Sequence, residues 1–196
     1  MATAPDADET DAALLRRYRR GEVAAFDQLY QRHRAGLYRF LCGLSGDTAL
    51  ADEIFQDTWL SLIRSQVEQR ENVLFKTFLY QIGRNRLIDY WRRQGRHLGR
   101  EEAYDEALHA RLDEAPGPDQ QWAAGRDRQR LQVALQALPE EQREVFLLRA
   151  EADLELQEIA ELTRSPAETV KSRLRYAIQK LRRLLVDPAV TEEVRK

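Results

Sequence analysis

Between Leu156 and Leu185 the chain reads LQEIAELTRSPAETVKSRLRYAIQKLRRLL, and the TRSP break in its middle restricts the fold more than any other feature. Before the break, Ile159, Ala160 and Leu162 share one helical face, with Leu154 and Leu156 just upstream. After it, Val170, Leu174, Ala177, Leu181 and Leu184 recur at three and four residues and form a single buried stripe. So short a connection makes the second helix cross the first at a fixed angle. Ser165, Pro166 and Glu168 carry a helix-start signature: the serine hydroxyl is expected to cap, proline to occupy the first turn, and glutamate to complete a capping box. At about 100° per residue, Lys171, Ser172, Arg175 and Tyr176 fall on the outer side and Arg173 on its edge. Glu168 and Thr169 extend that surface at the helix start. This is a helix-turn-helix, whose second helix is shaped to enter a major groove. Arginine and lysine bond guanine edges or phosphates, serine bonds either, and tyrosine contacts thymine methyls.

The rest of the chain repeats the helical theme. With 9 glycines and 6 prolines among 196 residues, and helix formers abundant, the expected class is all-α. Helices are expected over 11–20, 23–42, 47–67 and 74–93, with Asp47 capping the third. Residues 96–119 lose apolar periodicity and contain Gly99, Pro116, Gly117 and Pro118, which marks a flexible linker. Helix resumes over 120–138 and, after Pro139, to about Ala150. The architecture is two small helical domains, 10–95 and 120–186, joined by that acidic linker, with a tail at 187–196.

A net charge of −2 conceals three blocks. Arg84, Arg86, Arg92, Arg93, Arg96 and Arg100 face Asp89 alone. Residues 101–119 are acidic, and 164–183 are basic again. Two basic blocks around an acidic bridge imply two separate contacts with a polyanion. The single cysteine, Cys42, lies among Phe40, Leu41 and Leu44 and reads as a buried thiol, which excludes an internal disulfide or a cysteine-based metal site. The acidic N-terminus is unlike a signal peptide, and no apolar run has the roughly 20 residues of a membrane span. A cytoplasmic protein without membrane insertion is expected.

LPEEQREVFLLR (138–149) followed by EIAELTRSPAETVKSRLRYAIQKLR (158–182) resembles the promoter-reading C-terminal domain of bacterial RNA polymerase sigma factors of the extracytoplasmic-function group. Arg164 stands where that family usually has a turn glycine, and Ser165 where it has a small apolar residue. A left-handed backbone at Arg164 costs roughly 1 kcal/mol, so a reshaped turn is expected. The first half carries matching motifs. DTALADEIFQDTWLSLIR (47–64) resembles the helix that docks on core polymerase. Leu50, Ile54, Phe55, Trp59, Leu62 and Ile63 supply its buried side, while the resemblance implies that Asp52, Glu53, Gln56 and Asp57 meet a basic polymerase helix. FKTFLYQIGRNRLIDYWRRQGR (75–96) resembles the helix that binds and opens the −10 element. There Arg84, Asn85, Arg92, Arg93 and Arg96 are expected to track phosphates, and Tyr80, Tyr90 and Trp91 to offer stacking faces. Arg70 and Asn72, in the preceding loop, are the contacts expected for an extruded base. The resemblance also implies a linker that threads through polymerase, its carboxylates mimicking nucleic acid in basic channels.

The resemblance therefore implies a monomeric subunit that carries core polymerase to promoter DNA through −10 and −35 contacts, with an anti-sigma factor as a further partner. No cofactor, metal or catalytic residue is expected. A free-standing repressor or activator is disfavoured by the docking and strand-opening helices of the first half. A recombinase or nuclease would need clustered carboxylates or an activated nucleophile in a cleft, whereas His33, His97 and His109 are scattered and Asp52, Glu53 and Asp57 sit on a convex helix.

Overall fold

Eight α-helices and no strand make up the described residues of the protein, which a computed structural model places at 9–64, 74–95 and 119–186, with side chains of the last segment from 127 onward. The first module contains α1 (Asp11–Arg19), α2 (Val23–Ser45), α3 (Thr48–Arg64) and α4 (Phe75–Arg93). The second contains α5 (Asp119–Gln136), α6 (Glu140–Ala152), α7 (Leu156–Thr163) and α8 (Ala167–Val186). Most of the expected linker, with Arg70, Asn72, Arg96 and the tail, lies outside the described residues, and Asp119 begins α5 rather than ending a linker.

Local chemistry sets the helix ends. The Thr10 hydroxyl accepts from Ala13 N and starts α1. Asp47 caps α3 as its sequence position predicts, Oδ1 accepting from Ala49 N at 2.8 Å and Leu50 N at 3.3 Å. The α8 start differs from expectation. Ser165 does not cap it: its hydroxyl accepts from Arg173 Nη1 at 2.9 Å and points to the Thr163 carbonyl at 3.5 Å. Helix α8 begins after Pro166, and a capping box forms instead at α7, between Glu155 and Glu158. The turn itself is not reshaped. Arg164 adopts φ 53°, ψ 41°, and Ser165 N reaches back to the Ala160 carbonyl at 3.0 Å, the bond that closes a left-handed helix ending.

Within the first module α2 packs on α1 and α3, and α3 on α4. Trp59 lies at the centre of an aromatic cluster, edge-on to Tyr30 at 4.9 Å and to Phe26 at 5.7 Å. In the second module α8 lies across α6 and α7, burying Val170, Ala177, Leu181 and Leu184, with Leu174 half-buried.

The two modules do not stand apart. The most extensive helix pairing in the molecule is α2 against α6, and one continuous apolar core runs from Leu14 to Leu184. Two glycines inside α2, Gly36 and Gly43, make this approach possible. A Cβ on Gly36 would lie 2.6 Å from Tyr80 Oη and 2.8 Å from the Glu151 carbonyl; on Gly43 it would lie 2.8 Å from Leu147 Cδ2. A glycine in a helix interior costs about 0.5–1 kcal/mol relative to alanine. The side chains of Gln132 and Gln136, one helical turn apart on α5, donate at 2.8 Å to the Cys42 and Gly43 carbonyls, joining the end of α2 to the second module.

Candidate nucleic-acid interface

The outer side of α8 is open. Glu168, Lys171, Arg175 and Tyr176 are exposed, while Thr169, Ser172 and Arg173 are half-buried. Lys171 makes only a 3.8 Å contact with Glu168, one turn back on the same helix. The Arg175 guanidinium lies over the Tyr176 ring at 4.9 Å and donates to its hydroxyl at 3.2 Å, so cation and aromatic form one exposed unit. Arg173 is placed differently. Besides Ser165, it holds Glu141 of α6 at 2.7 Å, which fastens α8 to the turn and to the helix behind it. Its guanidinium therefore positions α8 rather than pointing outward.

Helix α4 divides the residues that the sequence grouped together. Asn85, Arg92 and Arg93 are exposed, and Arg92 makes a 3.6 Å contact with Asp89 of its own helix. Gln81 shares this outer arc, four residues before Asn85, although sequence reasoning passed over it. Tyr80 and Trp91 are not stacking platforms: they are 2% and 8% exposed. The Tyr80 ring packs against Phe40 at 5.2 Å, and its hydroxyl donates to the Glu151 carbonyl at 2.8 Å. Burial, with the Glu151 charge nearby, pushes that phenol well above its usual range, so it remains a donor. Tyr90 is half-buried against the core. Arg84 is not free either, because Nε meets Glu144 Oε1 at 2.5 Å and Nη2 meets Oε2 at 3.3 Å. The stacking faces expected from the family resemblance are therefore enclosed: Tyr80 and Trp91 lie on the same side of α4 as buried Leu87.

On α3, Asp52, Glu53 and Gln56 are exposed and Asp57 is half-buried. Ile63, expected in the core, is 46% exposed, and Leu60 is 44% exposed. At about 100° per residue both fall within the arc spanned by Asp52, Gln56 and Glu53, so one surface carries an acidic half and an apolar half. Behind it sits Cys42, half-buried, its thiol pushed upward by burial. The start of α4 and the middle of α2 are joined to α1: Asp11 accepts from Arg32 and contacts His33 Nε2, each at 2.6 Å, and the His33 ring lies 5.3 Å from Phe75. Burial alone would raise the Asp11 carboxyl, but the His33 and Arg32 hydrogen bonds and charges hold it below its ordinary value.

Two separate surfaces with opposite charge logic, one acidic and apolar, the other cationic on a helix-turn-helix, are paralleled in known proteins. The Sigma-70 region 2 family model matches residues 29–97, and the Sigma-70, region 4 model matches residues 134–183. The chain is 31% identical over 186 residues to the RNA polymerase sigma factor NccH of Alcaligenes xylosoxydans xylosoxydans, across 93% of this chain and 97% of that protein. This chain belongs to the sigma factor family. Its group is the extracytoplasmic-function (ECF) one: it is 30% identical over 183 residues to the ECF RNA polymerase sigma factor SigM of Mycobacterium tuberculosis, across 91% of this chain and 86% of that protein. The fold recurs in the co-crystal structure of the sigma factor RpoE with the anti-sigma factor NepR from Bartonella quintana, at TM-score 0.66 and 24% identity over 83% of this chain and 98% of that one. As an ECF sigma factor it is a promoter-specific transcription initiation factor that works with RNA polymerase. Region 2 covers most of α2 with α3 and α4, and region 4 covers α6, α7 and most of α8.

Proposed function

We propose that the sigma factor divides its work among three surfaces. Exposed Lys171, Arg175 and Tyr176, with Glu168, Thr169 and Ser172, read the −35 element in the major groove. The outer arc of α4, Gln81, Asn85, Arg92 and Arg93, follows the strand of the −10 element as it opens. The α3 surface of Asp52, Glu53, Gln56, Leu60 and Ile63 docks on core polymerase, its carboxylates setting register and its two apolar side chains adding area. Chemistry stays with the polymerase, and the chain acts as a monomer without catalysis of its own. Because a structural neighbour is bound to an anti-sigma factor, a protein inhibitor of that kind is a fitting partner. Among the described residues no helix is long and apolar enough to cross a membrane, and the site of action is the cytoplasm, where polymerase works.

The observation carrying this reading is the exposed Lys171–Arg175–Tyr176 face, projected by a turn that local hydrogen bonds fix. Transcription with purified core enzyme on a promoter library tests it. Added protein should give start sites that core alone lacks, and Asp52→Lys with Glu53→Lys should reduce core binding by about a hundredfold while leaving the helical circular dichroism unchanged. Core that initiates indiscriminately with the wild-type chain present would overturn it.

A further inference from the structure

Four side chains of α4 point at the second module, and all four are hydrogen-bond donors. Lys76 Nζ donates to the Asp153 carbonyl at 2.8 Å, Thr77 Oγ1 to Glu158 Oε1 at 3.0 Å, Tyr80 Oη to the Glu151 carbonyl at 2.8 Å, and Arg84 to both oxygens of Glu144. Every acceptor is an oxygen of α6, α7 or the bend between them, and every residue supplying one is acidic. Lys76 and Arg84 are separated by about 12 Å along the helix, the axial length of three to four phosphates of one duplex strand. Two acceptors are carboxylates, of Glu144 and Glu158, and two are backbone carbonyls of residues that carry a carboxylate, so the row joins oxygen acceptors to nearby negative charge, as a nucleic-acid backbone does.

The closure has its own accommodation in the sequence. Gly43 lies against Leu147 of the second module, and Gly36 lies where Tyr80 meets Glu151. Neither glycine has the positive φ that would require one. What the pair supplies is room for α6. Arg39, one turn after Gly36, adds a 2.7 Å ion pair to the Glu151 carboxylate.

We propose that the acidic edge of α6–α7 is a built-in phosphate mimic, which covers the Lys76–Thr77–Tyr80–Arg84 row of α4 in the free sigma factor, and that Gly36 and Gly43 let the modules close to form it. Separating the modules uncovers the row for the backbone of the promoter strand. This rests on the assignment of α4 to the −10 element and adds a regulation to it: promoter DNA and the second module compete for the same donors. The Tyr80 ring remains core in both arrangements, because Phe40 belongs to its own module; only the hydroxyl changes partner.

The full-length chain without polymerase provides the test. Gly36→Ala places a methyl group against the Glu151 carbonyl while favouring α2 as a helix. Glu144→Gln removes the charge opposite Arg84 by an independent route, so a folding defect in one variant does not decide the result. Radius of gyration from small-angle scattering reports closure, and anisotropy of a fluorescein-labelled single-stranded 20-nucleotide probe reports access. Both variants should expand, bind the probe about tenfold more tightly at fixed salt, and show a steeper salt dependence. Adding Lys76→Ala and Arg84→Ala to Gly36→Ala should return affinity to the wild-type value. Expansion without tighter binding, or tight binding that survives loss of Lys76 and Arg84, overturns the mimic; two variants as compact as wild type overturn the closure. Failure of the α4 assignment shows separately, as normal −10 opening by holoenzyme carrying Asn85→Ala and Arg92→Ala.

Discussion

Helices α4 and α8 are both basic, both amphipathic and about equally long, yet their cations lead different lives. Among the described residues, Lys171 and Arg175 of α8 bond only within their own helix, and both are exposed. Arg84 of α4 is enclosed with Glu144, the two side chains 16% and 10% exposed. The difference lies in what surrounds each helix. Helix α8 belongs to a unit whose partners, α5, α6 and α7, directly precede it in the chain, and these leave Lys171, Arg175 and Tyr176 exposed. Helix α4 lies between its own module and the other, so Lys76, Thr77, Tyr80 and Arg84 meet protein on that side.

The sharpest way to break the comparison is to remove one cation from each helix. Arg84→Ala leaves Glu144 buried without its partner and should cost about 3–5 kcal/mol in urea unfolding, or the whole free energy of module closure if that is smaller. Lys171→Ala should cost less than about 0.5 kcal/mol. Equal losses would show that the enclosure of Arg84 has no energetic weight.

For promoter recognition the ranking should invert. Arg175→Ala should weaken −35 discrimination by about 1–3 kcal/mol, measured as competition among promoter variants with holoenzyme. A uniform loss on every sequence would make Arg175 a phosphate contact instead.

Next in size is the turn that projects α8. Arg164 holds a left-handed backbone that costs a side-chain-bearing residue about 1–2 kcal/mol, so Arg164→Gly should stabilise the protein by about 0.5–1 kcal/mol once glycine's looser unfolded chain is counted. The thermal midpoint should rise; a fall would mean that the Arg164 side chain makes a compensating contact.

The smallest effect concerns how α4 is seated. The Asp11 carboxyl is held below its ordinary value, so it contributes stability above its unfolded value near 4 and loses it as pH falls through the lower folded value. Asp11→Asn should therefore cost at most about 1 kcal/mol at neutral pH, the pair being partly solvent-screened, and nothing once the pH is well below 3. A wild-type-to-variant gap that widened with acid would contradict this.

Helix positions were largely legible in the sequence, because capping and apolar spacing act within a few residues. Asp47 capped where it was expected to, and the α8 stripe was buried at Val170, Ala177, Leu181 and Leu184. The Ser165 cap does not form: its hydroxyl accepts instead from Arg173, eight residues away and fastened to α6. Ile63, expected in the core from its apolar character, follows its helical angle instead: it falls among Asp52, Glu53 and Gln56 and is 46% exposed. Gly36 and Gly43 carried a usable signal, two glycines seven residues apart on one helix face, which marks close approach by another helix.

By itself the sequence determined an all-helical chain with a helix-turn-helix at its end, two basic blocks, and the family to which these belong. The helices, the turn and the basic blocks follow from short-range forces: hydrogen bonds at helix ends, three-to-four spacing, and charge carried on neighbouring turns; the family followed from the resemblance of the motifs at 47–64, 75–96 and 138–182. Only the tertiary structure decided which side of α4 is available, that Tyr80 and Trp91 are interior, and that Arg84 has an acidic partner 60 residues away. The partner of a side chain that points away from its own helix is set by how helices distant in the chain come together, and no local pattern encodes that meeting.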